Sequence, residues 1–219
     1  MRRALPFAIC FAAAALFTQL VRSDDSSRLH GTVSQFDGSY LTLKANSGKS
    51  VLVTVRPETR ILHSRTMPLS DLKSGDFVAS LSLKDSIGKL HALGLRVSQN
   101  SAERSGEGQY PAASDPTRIV TDGTVSAISV ADGKIGLSFH GSSPAADGGC
   151  TGRATTGGSG CTGSADIFVA RGVPIVAIST GDATLLRAGA IVSVAATTDA
   201  SSSIVASTVI VERDAKPAQ

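Results

Sequence analysis

Apolar and polar residues alternate through Tyr40-Leu41-Thr42-Leu43-Lys44 and again at Val51, Val53 and Val55, the period of two that a strand with one buried face requires. Strands are predicted from Leu29 to Phe36, Tyr40 to Lys44, Val51 to Val55, Phe77 to Leu83 and Leu90 to Val97. Asp37-Gly38 between the first two reads as a type I′ hairpin turn, and Asn46-Ser47-Gly48 as the next turn. Residues 57–70 show no period and are expected to be irregular, with Ile61 buried. Pro68 to Gly75 reads as one helical turn, capped by Ser70 and ended by a left-handed Gly75.

The stretch Asp71-Leu72-Lys73-Ser74-Gly75-Asp76-Phe77-Val78 returns as Leu185-Leu186-Arg187-Ala188-Gly189-Ala190-Ile191-Val192, a shift of 114 positions that also carries Ile61 to Ile175 and Val97 to Val211. Upstream, His30-Gly31-Thr32-Val33 matches Asp122-Gly123-Thr124-Val125 at a shift of 92, and Asp132-Gly133 repeats the hairpin turn. The chain therefore carries two copies of one β unit, with 22 residues added to the second between its second and third strands. In the second copy the later strands are expected at Ile167 to Arg171, Ala190 to Ala196 and Ser203 to Glu212.

The expected fold is all-β: two small five-stranded barrels in tandem, each with a short helical turn before strand four. Their predicted spans are 28–98 and 119–213, the latter with a Gly/Ser-rich insert near 140–164. Residues 99–118, rich in Ser, Gly, Glu, Ala and Pro, read as a flexible linker that lets the barrels move independently, and 214–219 as a tail.

Residues 1–23 form a different object. Arg2 and Arg3 precede an apolar run from Leu5 to Val21, and Val21-Arg22-Ser23 fits a cleavage site, so a secretory signal helix is expected. An uncleaved membrane anchor is the alternative; with cleavage, no transmembrane span is expected in the mature chain. This changes the charge picture. The segment holds Arg2, Arg3 and Arg22 and no acid, so the totals of 21 basic and 18 acidic residues become 18 and 18. A neutral mature chain carries no nucleic-acid footprint. Charge is uneven, though: residues 28–99 carry ten Lys and Arg against five acids, and 119–213 five against seven.

The Gly-Thr-Val strand, the Asp-Gly hairpin, the Leu-Lys-x-Gly-Asp turn and the Ala-opened last strand resemble those of exported bacterial β-barrel domains of unknown function, OB-like and often in tandem. Both copies are covered, with Asp76 of the first turn replaced by Ala190 in the second. The resemblance implies the fold and a periplasmic or secreted location, and no catalytic residue.

Candidate chemistry is sparse. Cys150 and Cys161 are the two cysteines beyond the signal segment, and an oxidising compartment favours a disulfide between them. The competing reading has both thiolates with His140 holding zinc or copper. His30, His63 and His91 are the further metal candidates, all in the first copy. Gly158-Ser159-Gly160-Cys161-Thr162-Gly163 matches the dinucleotide fingerprint in letters only, since no strand-to-helix context surrounds it.

Lys44, Lys49, Arg56, Arg60 and Arg65 make the first copy basic, but few aromatic residues are left to stack bases, which disfavours nucleic acid. Asp71 and Asp76 are explained by turn polarity. No catalytic constellation, cofactor site or complete metal set emerges. The expected function is a non-enzymatic binding or scaffolding protein of the bacterial cell envelope, its partner an envelope protein or an anionic polymer. The alternative is a periplasmic metal-binding accessory protein.

Overall fold

A computed structural model describes residues 27–98, 106–146, 148–154 and 160–212. The expected signal segment, most of the first half of the expected linker and the expected tail lie outside these residues. The described chain is all-β, with fifteen strands joined in one continuous network.

The strands in chain order are β1 Ser27–Phe36, β2 Tyr40–Ala45, β3 Ser50–Thr54, β4 Arg60–Thr66, β5 Phe77–Lys84, β6 Leu90–Ser98, β7 Gly108–Ala112 and β8 Asp115–Ser129. They continue with β9 Lys134–Gly141, β10 Ser143–Pro144, β11 Cys150–Arg153, β12 Cys161–Phe168, β13 Ile175–Thr180, β14 Ile191–Thr198 and β15 Ile204–Glu212. Single 3-10 turns at Leu69–Asp71 and Ala183–Leu185 precede β5 and β14.

The five strands β5, β6, β12, β9 and β8 pair in a closed circuit and form a five-stranded barrel. Val78, Val97, Val125, Ile135, Leu137 and Ile167 fill it, each at most 1% exposed. A second circuit of pairings runs β1, β2, β3, β15, β14 and back to β1, its β3–β15 seam a single parallel pair, Val205 with Thr54. Val33, Leu41, Leu43, Val53, Val192, Val194 and Val209 fill that ring. Full burial of each such side chain is worth about 1.5–3 kcal/mol, so these two clusters are the main source of stability.

The expectation that residues 28–98 and 119–213 each close a barrel of their own is not met. The barrel takes β5 and β6 from the first repeat and β8, β9 and β12 from the second; the other ring takes β1 to β3 from the first and β14 and β15 from the second. Relative to the two copies read from the sequence, the last two strands of each are paired with the other, a swap within one chain.

The exchange passes through β4 and β13, both absent from the expected strand set. Residues 57–70 were expected to be irregular, and no strand was expected at 175–180, yet β4 and β13 pair antiparallel, with Ser64 opposite Ile178. Those two residues are themselves equivalent under the shift of 114, so an approximate two-fold axis passes between them. β4 then runs parallel to β15, with Ile61 opposite Val209, and β13 parallel to β6, with Ile175 opposite Leu95. These pairings obey the same shift. Both strands therefore join the two rings into one body rather than leaving them free to move independently.

The repeated turn is the corner that makes the exchange possible. Gly75 donates its backbone N–H to the carbonyl of Val125 at 2.9 Å, and Val125 donates back to Asp76 at 2.8 Å. In the second repeat Gly189 donates to Val33 at 2.8 Å, and Val33 to Ala190 at 2.8 Å. Gly75 and Gly189 adopt φ of +91° and +87°, a conformation that a side chain makes costly. Leu72 and Leu186, 4% and 2% exposed, pack into the barrel and the second ring respectively.

Three local expectations change. Asp37 keeps a negative φ, so Asp37-Gly38 is not a type I′ turn; its Oδ1 instead accepts the backbone N–H groups of Ser39 at 2.9 Å and Tyr40 at 2.7 Å, with only Gly38 at positive φ. Pro68, not Ser70, stands at the N-cap of the first 3-10 turn, without a side-chain cap; in the second repeat Asp182 caps Thr184 at 2.8 Å. Finally, the predicted linker 99–118 contains β7 and the beginning of β8, which pair antiparallel.

Candidate functional site

The insert of the second repeat builds one wall of a cleft. It prolongs β9 and β12 into a hairpin paired from Phe168–Lys134 out to Cys161–Gly141. It also adds β10 and β11, and β11 leans on β7 through Gly152–Gln109 and Arg153–Gly108. Cys150 and Cys161 are joined in a disulfide, with Cα atoms 5.6 Å apart, which pins β11 to the start of β12. Close packing under this bridge requires glycine: a Cβ on Gly163 would lie 2.7 Å from the Phe139 ring and 2.8 Å from Cys150 Cβ.

Between this insert and the β5–β6 turn lies a cleft of about 630 Å³. Its floor is apolar and aromatic, with Phe139, Phe168 and Ile119, and its rim carries Lys84, Lys89 and Gln109. Two side chains stand against Phe168: Lys89 Nζ lies 5.2 Å from its ring centre, and the His91 ring stacks on it at 5.6 Å. Asp85 accepts from His91 at 2.9 Å and holds its own carboxyl below the usual carboxylate range, chiefly through that bond. Asp166 on the opposite rim faces Lys134 at 3.2 Å.

The wall formed by β7 contains a polar cluster that no sequence motif announces. Tyr110 donates its hydroxyl to Asp122 Oδ2 at 2.5 Å, and Arg153 from β11 donates to the same hydroxyl while its guanidinium lies 4.6 Å over the Tyr110 ring. Asp122 is 2% exposed, and Arg153 Nη2 is 3.7 Å from it. Burial pushes the Asp122 carboxyl up, against the opposing pull of Tyr110, Arg153 and Arg96. Burial also raises the Tyr110 phenol, so it stays protonated and donating. The cluster ties together the former linker, the insert and β8. It has no equivalent in the first repeat, where His30 occupies the position of Asp122.

The sequence-predicted candidates are not brought together. His30 lies on β1 opposite Ser193. His63 on β4 meets Ser179 Oγ at 2.9 Å, His91 meets Asp85, and His140 meets Glu107 at 2.7 Å. Among the described residues no group of three His, Cys, Asp or Glu side chains is placed to hold a metal. With both sulfurs joined to each other, the set His140, Cys150 and Cys161 offers no thiolate ligand.

The Ser179–His63 contact is a cross-strand pair in the β4–β13 ladder. Gly160 to Gly163 open a strand antiparallel to β9, so no helix N-terminus exists there for a dinucleotide. Asp76 accepts from the Lys73 backbone at 2.8 Å, and Ser70 donates to Asp71 at 3.4 Å, both local turn contacts. Of the basic set, Lys44 lies on β2, Lys49 in the following turn and Arg60 and Arg65 on β4, while Arg56 pairs with Asp199 at 3.5 Å. They do not share one face.

Compared with known proteins, the chain matches no family model, no curated protein and no solved structure. No helix among the described residues is long and apolar enough to cross a membrane.

Proposed function

We propose that this chain is a non-enzymatic binding module of a bacterial cell envelope, exported and built from a duplicated OB-like unit, and that the cleft beside the disulfide-bridged insert holds its ligand. The observation that carries this reading is the lining of the cleft: an aromatic and apolar floor with two lysines and an amide on its rim. Such a lining takes a small anion with a flat or apolar face, the ring engaging Phe168 and the acid group Lys84 and Lys89. One of its hydroxyls, that of Thr151, is committed to the Gln109 carbonyl at 3.1 Å.

Export is supported by the disulfide, a bond that persists in oxidising compartments. The OB-like reading is supported by the closed five-stranded barrel and the duplication by the repeated corner.

The test uses thermal stabilisation of the full chain by a panel of carboxylated and sulfated sugars and aromatic acids. The expected result is a saturable shift for one class that Lys84→Gln/Lys89→Gln weakens by about tenfold, the loss of charge-assisted hydrogen bonds. Turnover of a panel member, or stabilisation unaffected by the double substitution, would overturn it.

A further inference from the structure

The cleft beside the insert runs along the edge of a strand. Ser164, Ala165 and Asp166, three successive residues of β12, all line it, although their side chains alternate between exposed and partly buried. What meets the cleft along this stretch is the backbone.

That edge has no strand partner among the described residues. β12 pairs with β9 along its whole length, but on its other side only Ile167 and Phe168 meet a strand, β6, at Leu90 and His91. The Val169 N–H donates to the Gly133 carbonyl at 2.6 Å, and this sets the phase of the ladder. The backbone groups of Gly163, Ala165 and Ile167 turn to β9, and those of Ser164 and Asp166 turn away from it, to the cleft.

Open strand edges are normally kept short or blunted. The counterpart of β12 in the first repeat, β3, has five residues, whereas the insert lengthens β12 to eight. β7 across the cleft is blunted, since Pro111 has no N–H and the Gln109 carbonyl accepts from Thr151. The edge of β12 is long, unblunted and recessed.

The direction of a strand added there follows from β6, which runs parallel to β12 and takes over the edge at Leu90. A strand laid parallel on Ser164 to Asp166 runs head-on into Leu90, so its chain must end there. Laid antiparallel, it would begin there with its ammonium. Lys89 precedes Leu90 and Lys84 pairs with it, and both line the cleft. The one acid in the lining among the described residues, Asp166, is paired with Lys134 at 3.2 Å. Charge therefore selects a carboxylate at this end. A last residue opposite Ala165 turns its side chain to the face on which Ala165 and Ile119 pack against the barrel core.

We propose that the free edge of β12 takes the C-terminal segment of a partner polypeptide as an added parallel strand, with an apolar last residue on the floor and its carboxylate at Lys84 and Lys89. This rests on the cleft being the ligand site and names the ligand class, an extended chain end whose final residue is itself a small anion with an apolar side.

The probe is a pool of acetylated pentapeptides with four randomised positions and a C-terminal phenylalanine, offered to the full chain as free acids and as C-terminal amides. Phenylacetate serves as the ligand without a peptide backbone. The best-retained free acid is titrated while amide hydrogen exchange is read residue by residue by NMR. Exchange at Ser164 and Asp166 is expected to slow by about tenfold or more, with Ala165, already bonded to β9, hardly changed. Amidation of the peptide, or Lys84→Gln/Lys89→Gln in the protein, is expected to weaken binding by about tenfold. N-methylation of the peptide groups that face β12 should abolish the protection without altering the protein.

If phenylacetate binds and no peptide slows exchange at Ser164 and Asp166, the added strand is refuted while the cleft keeps its ligand. If neither binds, both readings fall. Equal retention of acid and amide pools, or protection of the same two amides by self-association without peptide, would also overturn the proposal.

Discussion

Gly189 hydrogen-bonds to Val33, far apart in the chain, N–H to carbonyl at 2.8 Å. The bond joins the corner of the second repeat to the first strand of the first, and its counterpart from Gly75 to Val125 joins the corner of the first to the first strand of the second. These reciprocal contacts make the two repeats one folding unit.

Substitution of either corner glycine tests that statement. A Cβ at Gly75 or Gly189 meets nothing within 4 Å, so the penalty is that of the left-handed backbone alone. Gly75→Ala and Gly189→Ala should each lower the unfolding free energy by about 1–2 kcal/mol, measured by urea denaturation. Leu72→Ala and Leu186→Ala, which empty buried positions, should cost about 2–5 kcal/mol each. In all four variants loss should appear as one cooperative transition, whereas independent barrels would yield two.

Cutting the chain should not separate its halves. With a protease site placed between residues 99 and 105, cleavage is expected to leave both fragments in one particle on size exclusion, since each ring draws strands from both. Elution of two separate folded fragments would contradict the exchanged pairing.

The disulfide closes a loop with a sequence separation of 11 between its cysteines. Cys150→Ser/Cys161→Ser should destabilise the insert by up to about 3 kcal/mol in the chain-entropy account. Because β11 holds to the rest through two residue pairs on β7 and two on β10, hydrogen exchange should rise there first, ahead of the barrel strands. Uniform exchange across the chain would contradict it.

Asp122 makes stability depend on pH. Its carboxyl is raised in the folded state, so the native protein binds more protons than the unfolded chain between the ordinary carboxylate range and the raised value. Stability should therefore fall as pH climbs through that window and level off above it. Asp122→Asn keeps an acceptor for Tyr110 and removes the titration, so its stability profile should lack this fall. A melting-temperature series in matched buffers gives the comparison, and identical slopes in both proteins would refute the assignment.

The strands and the repeat were legible because both leave periodic marks: alternation at Leu41 and Leu43, and the recurring Leu-basic-x-Gly corner. The partner of each strand was not. Alternation records which face of a strand is buried, and Val33 would look the same beside β5 or beside β14. β4 was missed for a related reason. Ile61 packs on the second ring while Leu62 and Ser64, on the other face, are buried at 5% and 8%, so both faces are covered and the period disappears.

The cysteine pair was readable from its isolation in composition and compartment. The Tyr110–Asp122–Arg153 cluster was hidden, because its members come from a presumed linker, a β-strand and an insert with no spacing rule between them.

The exchange of strands also orders events during synthesis. The chain leaves the ribosome with β1 to β3 first, but the seams that complete their ring belong to β14 and β15, the last strands of all. β5 and β6 likewise wait for β8, β9 and β12. A nascent chain of this protein therefore presents open strand edges until β15 has emerged, and is exposed to aggregation wherever synthesis stops before it.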